Sequence, residues 1–284
     1  MRILILGASG MLGNAVLRVF VASPGFVVWG TVRSARASAL LREQVRDRLI
    51  SGIDLSDIDS VLRATESARP DVVINCVGLV KQLASADDPL EAIPVNALLP
   101  HRLARICAVA GARLVHMSTD CVFSGAKGMY VEEDPSDAQD LYGRTKYLGE
   151  VDYPNAITLR TSIIGHELEG ARSLIGWFLA QEGAVAGYGK AIFSGLPTVE
   201  IARVIRDHVI PHPELHGVYH LSAAPISKLE LLKLVARAYG KSVEIRPDDA
   251  LAIDRSLDST RFRQATGYAP APWPELVASM EQFR

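Results

Sequence analysis

Tyr142 and Lys146 stand four residues apart in the run Tyr142-Gly143-Arg144-Thr145-Lys146. Four residues is about one helical turn, so a helix here projects a phenol and an ammonium from the same face. A free tyrosine titrates near about 10, and a neighbouring cation lowers that value by favouring the phenolate. The pair is therefore expected to donate and accept a proton near neutral pH. Upstream, Ser118 and Thr119 end a strand-like run and are placed to offer a hydroxyl to the same reacting oxygen. A Tyr-x-x-x-Lys pair alone is common in helices. Its weight here comes from the glycines that precede it at Gly7, Gly10 and Gly13.

Those glycines lie in Gly7-Ala8-Ser9-Gly10-Met11-Leu12-Gly13, after a first strand and at the opening of a first helix. In that context Gly7 permits the tight turn, Gly10 lets backbone approach a pyrophosphate, and Gly13 lets the helix pack on the strand. The helix N-terminus then offers free N–H groups and its dipole to the anion. A carboxylate about 20 positions further on would hold the ribose hydroxyls of NAD. This chain has Thr31-Val32-Arg33-Ser34 there, then Arg36, with no acid nearby in sequence. Arg33 can pair with a 2′-phosphate, so NADPH is favoured, with NADH possible; the alternative for Arg33 is a solvated loop residue. Asp54, after the third strand, is a candidate partner for the adenine amino group. Cys76, Val77 and Gly78 are the backbone expected beside the nicotinamide ribose. The full expected cofactor set is Gly7, Ser9, Gly10, Met11, Leu12, Gly13, Arg33, Asp54, Leu55, Cys76, Val77, Gly78, Tyr142, Lys146 and Thr161.

The elements that must hold these residues alternate between short apolar strands and helical stretches. Strands are expected at 3–6, 26–32, 49–54, 71–78, 113–117 and 157–162, and helices at 14–21 and 96–110. Near-continuous apolar strands alternating with helices imply a parallel sheet buried on both faces, an α/β, Rossmann-type doubly wound fold. After about residue 165 the pattern loosens. A helix is expected at 173–181, and Ser227-Lys228-Leu229-Glu230 is a capping box opening a helix that stops at Gly240. The chain thus divides into a nucleotide-binding domain at 1–165, rejoined by a return segment at about 193–222. A smaller substrate-binding part is built from 166–192 and 223–284.

The motifs resemble the extended short-chain dehydrogenase/reductase superfamily, and within it the dTDP-4-dehydrorhamnose reductase family. The shared pieces are Gly7 to Gly13, Val95-Asn96, Ser118-Thr119-Asp120 with Val122-Phe123, Tyr142-Gly143 with Thr145-Lys146, and Leu159-Arg160-Thr161-Ser162. The resemblance covers essentially the whole chain and is densest up to about residue 165. It implies Thr119, Tyr142 and Lys146 as the catalytic set, with Ser118 assisting. It also implies NADPH-dependent reduction of the ketone at carbon 4 of a 6-deoxy-hexose carried on a nucleoside diphosphate. Related 4,6-dehydratases carry Asp-Glu after Ser-Thr, whereas Cys121 stands in the glutamate position here, which argues against dehydration. The family pattern also departs at Cys76-Val77-Gly78-Leu79-Val80-Lys81-Gln82, a loop that faces nicotinamide and sugar. Expected substrate contacts are Lys81, Asp120, Val122, Phe123, Trp177 and Arg255. A UDP-linked 4-keto-6-deoxy sugar, N-acetylated or not, a sugar-nucleotide epimerase reaction, and a non-catalytic nucleotide-binding regulator remain alternatives.

Other groupings carry less. His208, His212, His216 and His220 recur every four residues, but Pro211, Pro213 and Gly217 break any single helix that would align them on a metal. Trp177 and Phe178 either stack on a base or fill the core. Asp248 and Asp249 follow Pro247 in an expected surface turn. Arg255 either clamps a substrate diphosphate or forms a surface salt bridge. The net charge of -2 over 284 residues gives no field for nucleic acid. No run approaches a membrane span, and the chain enters its first strand with no leader pattern. Cys76, Cys107 and Cys121 read as reduced thiols of a cytoplasmic protein. The expected partners are the nucleotide-sugar substrate and a second copy of the chain.

Overall fold

The computed structural model describes residues 1–79 and 87–284. Six parallel strands form the frame: β1 (Arg2–Leu6), β2 (Val27–Val32), β3 (Leu49–Ser51), β4 (Val72–Asn75), β5 (Arg113–Thr119) and β6 (Ala156–Thr161). A seventh, Gly217–His220, joins β6 at one edge, and across the sheet the order runs β6, β5, β4, β1, β2, β3. The side-chain alternation of β1 shows why both faces must be covered. Ile3 and Ile5 enter one core with Val16, Leu17 and Phe20, while Leu4 and Leu6 enter the other with Leu99, Leu103 and Leu114. Burying each such side chain is worth roughly 1.5–3 kcal/mol.

The strand order reverses between β1 and β4, which leaves a crevice at their carboxyl ends. Helix Met11–Val21 starts at that crevice and packs against helix Thr198–Val204. The second half of the chain adds small sheets. Ala184–Tyr188 pairs with Glu244–Asp248, and Ala191–Phe193 lies between Ile226–Ser227 and Ile253–Asp254. Ser227 caps helix Lys228–Ala238 by accepting from Glu230 N at 3.1 Å, and Gly240 takes a left-handed φ just beyond it. No helix among the described residues is long and apolar enough to cross a membrane.

Several element boundaries differ from the sequence expectation, some with a visible cause. β3 stops at Ser51 because Gly52 turns with φ 75°. β4 stops at Asn75, whose side chain accepts from Val77 N at 3.1 Å and draws the chain out of the ladder. The expected 96–110 helix is a short helix (Pro89–Ala92), a π-helical turn (Ile93–Leu98) and an α-helix (Leu99–Ala110). Pro100 lacks the N–H that a regular turn would bond to Asn96, and the wider turn accommodates this. Asp248, placed by sequence in a turn, ends a strand, and its carboxylate accepts from Ala250 N where the turn begins.

Candidate functional site

The glycine loop leaves no room for larger residues. A Cβ on Gly13 would stand 2.1 Å from the Gly7 carbonyl oxygen, and one on Gly7 would stand 2.6 Å from Val77 Cγ2. Gly7 also needs its left-handed φ of 79°. Gly10 N donates to Gly7 O at 3.0 Å, and no side chain caps the helix that follows. The first-turn N–H groups therefore face the crevice with no capping side chain. Ser9 and Met11 border this turn half-buried, while the Leu12 side chain points into the core and leaves only its backbone to a ligand. Free N–H groups and small residues at a helix start are the features by which such a loop could hold a pyrophosphate.

Val77 and Gly78 connect that cradle to the reacting groups. Val77 touches Gly7, and a Cβ on Gly78 would lie 3.3 Å from Asn96 Oδ1 and 3.8 Å from Lys146 Nζ. Asn96, from the π-helical turn, accepts from Leu79 N at 2.9 Å and donates to Thr145 Oγ1 at 3.3 Å. A Cβ on Gly149, just past the Tyr142 helix, would come within 1.9 Å of the Asn96 carbonyl oxygen. Asn96 therefore fixes the loop after β4 and the helix Leu141–Leu148 together.

That helix carries Tyr142 and Lys146, and Asp140 caps it by accepting from Gly143 N at 2.7 Å. The phenol of Tyr142 hydrogen-bonds the hydroxyl of Thr119, at the end of β5. Lys146 is 4% exposed and donates to Met117 O at 2.7 Å. Burial lowers its pKa to about 8, with Glu150 opposing. The phenol does not behave as the Tyr-x-x-x-Lys spacing suggested. Burial is the main cause that pushes the Tyr142 pKa up; the carboxyl groups of Asp120 and Asp140 push the same way, and the Thr119 hydrogen bond opposes them. The ammonium, held on the Met117 carbonyl, does not reverse this. With its pKa raised, Tyr142 is a neutral phenol that carries its proton at neutral pH.

Ser118 and Thr119 diverge because successive strand residues face opposite sides. Thr119 is in register with Thr161, and Ser118 with Arg160. The Ser118 hydroxyl donates to Glu150 Oε1 at 2.7 Å, away from Tyr142. Glu150 also holds Arg160 through bonds of 2.8 and 2.7 Å, a pair only 4–5% exposed. Thr161 is buried, its hydroxyl donating to Ser162 O at 3.3 Å.

Beyond Thr119 the chain brings charged groups together. Asp120 accepts from Thr119 Oγ1 at 3.2 Å, and burial raises its pKa while Lys228 and Arg255 oppose the rise. Burial also pushes the Cys121 thiol up to about 12, with Asp120 adding to it, so this thiol is no base. Arg255 donates to Phe123 O at 2.9 Å and approaches Cys121 Sγ at 3.8 Å, so it is no surface salt bridge. Lys228 sits 3.7 Å above the Phe193 ring, and burial lowers its pKa. Sequence reading missed Lys228, Glu150 and the buried Asn75–His116 pair at 3.1 Å. For Lys228 the capping box was the only signal, and it pointed to a helix start rather than to a site.

Of the other expected contacts, Val122, Phe123 and Leu55 pack into cores. Val122 and Phe123 are fully buried with Tyr130 and Leu257, and Phe123 stacks on Tyr130 at 4.1 Å. They present no side chain to a ligand. One oxygen of the exposed Asp54 carboxylate, Oδ1, accepts from Ser56 N and Oγ at 3.0 and 2.8 Å, and Leu55 packs into the second core. Trp177 is 37% exposed on helix Leu174–Ala180, while Phe178 is core. Arg33 is exposed at the end of β2. Burial pushes Cys76 up to about 12, consistent with an inert thiol. Lys81 lies outside the described residues. The four histidines scatter: His208 bonds Thr266 O, His212 bonds Glu214, and His220 is buried on Tyr130 O. No group of metal-ligating side chains occurs among the described residues.

Comparison with known proteins was made against this geometry. The model of the RmlD substrate binding domain family matches residues 1–281. The dTDP-4-dehydrorhamnose reductase of Mycolicibacterium smegmatis is 35% identical over 167 residues, 57% of this chain and 45% of that protein. The chain thus matches under half the length of that relative. Methionine adenosyltransferase 2 subunit beta of Rattus norvegicus is 27% identical over 268 residues, 87% of this chain and 75% of that one. Among solved structures, a dTDP-4-dehydrorhamnose reductase from Bacillus anthracis in complex with NADP superposes with a TM-score of 0.78 at 20% identity, covering 98% of each chain.

Proposed function

The chain belongs to the RmlD substrate binding domain family of extended short-chain dehydrogenases/reductases, and from that premise we propose that it reduces a nucleotide-linked 4-keto-6-deoxy-hexose with NADPH. The observation that carries this reading is the Tyr142–Thr119 contact at the end of β5, beside Lys146 and one residue pair away from the glycine cradle. The Gly7–Gly13 loop, Gly78 and Lys146 would hold the dinucleotide, which when bound would supply the hydride chemistry. Tyr142, kept protonated by burial, gives its proton to the forming alkoxide. The Thr119 hydroxyl steadies the same oxygen. Lys146 holds its ammonium beside Gly78, where a ribose would lie. Arg255 and Lys228 supply positive charge for the diphosphate of the substrate, and Cys121 leaves no carboxylate base for water elimination. We extend the proposal to the division of labour: residues 1–165 with about 193–222 hold the nucleotide, and 166–192 with 223–284 hold the sugar.

The match to methionine adenosyltransferase 2 subunit beta covers more of the chain than the reductase match and favours a second reading, a nucleotide-binding subunit without turnover. dTDP- and UDP-linked 4-keto-6-deoxy sugars, offered with NADPH, separate the readings. Oxidation of NADPH with one nucleotide series supports the reductase and names its base. Tight NADPH binding with no turnover on any of them supports the subunit.

A further inference from the structure

The edge of the nucleotide crevice that sequence reading took as free of carboxylates meets one in the fold. Arg36 Nη2 lies 2.6 Å from Glu169 Oε1, and the two residues are 133 positions apart. Glu169 sits on the turn between β6 and helix Leu174–Ala180. Glu167 shapes that turn by accepting from Arg172 N and Ser173 N, both at 2.8 Å, and Gly170 supplies a left-handed φ of 92°. The second cation of the edge, Arg33, is also matched, since its charge helps hold the Asp54 carboxyl low behind the Ser56 hydrogen bonds. Each arginine at the end of β2 therefore already has an acidic neighbour. The Glu169 side chain is 55% exposed, so solvent screens the Arg36 pair and a ligand can compete with it.

We propose that Glu169 is the residue that sets the balance between NADPH and NADH in this chain. The proposal rests on the nucleotide-site reading above. A 2′-phosphate must draw Arg36 away from Glu169 and then lie beside a carboxylate of like charge. A ribose 2′-hydroxyl meets no such repulsion and can donate to Glu169 as it would to an acid at the end of β2. Two arginines alone would give a strong preference for NADPH, and Glu169 reduces it.

Binding of NADPH and of NADH to the wild type, Glu169→Gln and Arg36→Ala, followed by nucleotide fluorescence at low and high salt, tests this without any sugar substrate. Glu169→Gln should raise NADPH affinity about two- to five-fold, as expected for an exposed charge contact. It should leave NADH affinity unchanged or lower it, and the gain should shrink at high salt. Arg36→Ala should weaken NADPH alone. An unchanged NADPH-to-NADH ratio in Glu169→Gln, with both nucleotides bound, overturns the proposal and leaves the site reading standing. Failure of the wild type to bind either nucleotide overturns the site reading itself.

Discussion

Burial at Tyr142 costs the phenolate more than its hydrogen bond to Thr119 returns, so the residue meets its substrate as an acid. Tyr142→Phe keeps the ring and removes the proton. It should bind NADPH within about two-fold of wild type while losing roughly 100-fold or more in turnover, the contribution typical of a positioned acid. Parallel binding titrations and turnover assays check both halves. Lys146 makes a prediction about stability. Its pKa falls from 10.5 in the unfolded chain to about 8 in the fold. Between these values the unfolded chain binds more protons, so this residue makes stability rise with pH from about 8 towards 10, and below pH 8 it costs folding on the order of 3 kcal/mol. Lys146→Met should therefore be more stable than wild type at pH 7, with the advantage shrinking as pH rises. Urea unfolding at pH 7 and pH 9.5 measures the difference, and parallel curves for the two proteins would contradict it.

At the scale of elements, the buried Glu150–Arg160 pair clamps β6 to Ser118 on β5, whose preceding carbonyl holds Lys146. Glu150→Gln leaves the Arg160 charge unmatched in the interior and should cost about 3–5 kcal/mol, read as a lowered urea midpoint. Gly13→Ala places a methyl against the Gly7 carbonyl and should abolish nucleotide binding before it unfolds the chain, which paired titration and melting curves would show. What the sequence made legible follows from local pattern. The glycine spacing, the Tyr142–Lys146 turn and the alternation of apolar strands are all set within a few residues of one another. Strand alternation could also have told Ser118 from Thr119, since neighbours in β5 must face opposite sides. The position of Val122 and Phe123 was not legible, because their partners Tyr130 and Leu257 come from a loop and a distant bridge. Lys228 and Glu169 meet their partners only through tertiary packing, and no spacing in the chain announces them; Arg255 was named from the sequence, but its bond to Phe123 O was not legible there. The tyrosine shift was misread for the same reason: its main cause is the burial of the phenol, which depends on tertiary packing, and the lesser contributions of Asp120 and Asp140 come from two elements.

For the molecule as a whole, we read the crevice at the reversal of strand order as the nucleotide site, with the second half of the chain adding Lys228 and Arg255 near Asp120. The sheet architecture alone serves net reduction, recycling epimerisation or regulation equally well. The choice falls to the fate of the cofactor. We take Tyr142 as the acid and a freely exchanging NADPH as the hydride source, so each sugar reduced should consume one NADPH. The decisive measurement is the ratio of NADPH oxidised to 4-hydroxy-6-deoxy sugar nucleotide formed, with a dTDP- or UDP-linked 4-keto-6-deoxy-hexose as substrate. A one-to-one ratio, lost in Tyr142→Phe, is the predicted result. Product formed with no net NADPH loss, or bound NADPH that no keto-sugar nucleotide oxidises, would contradict the account.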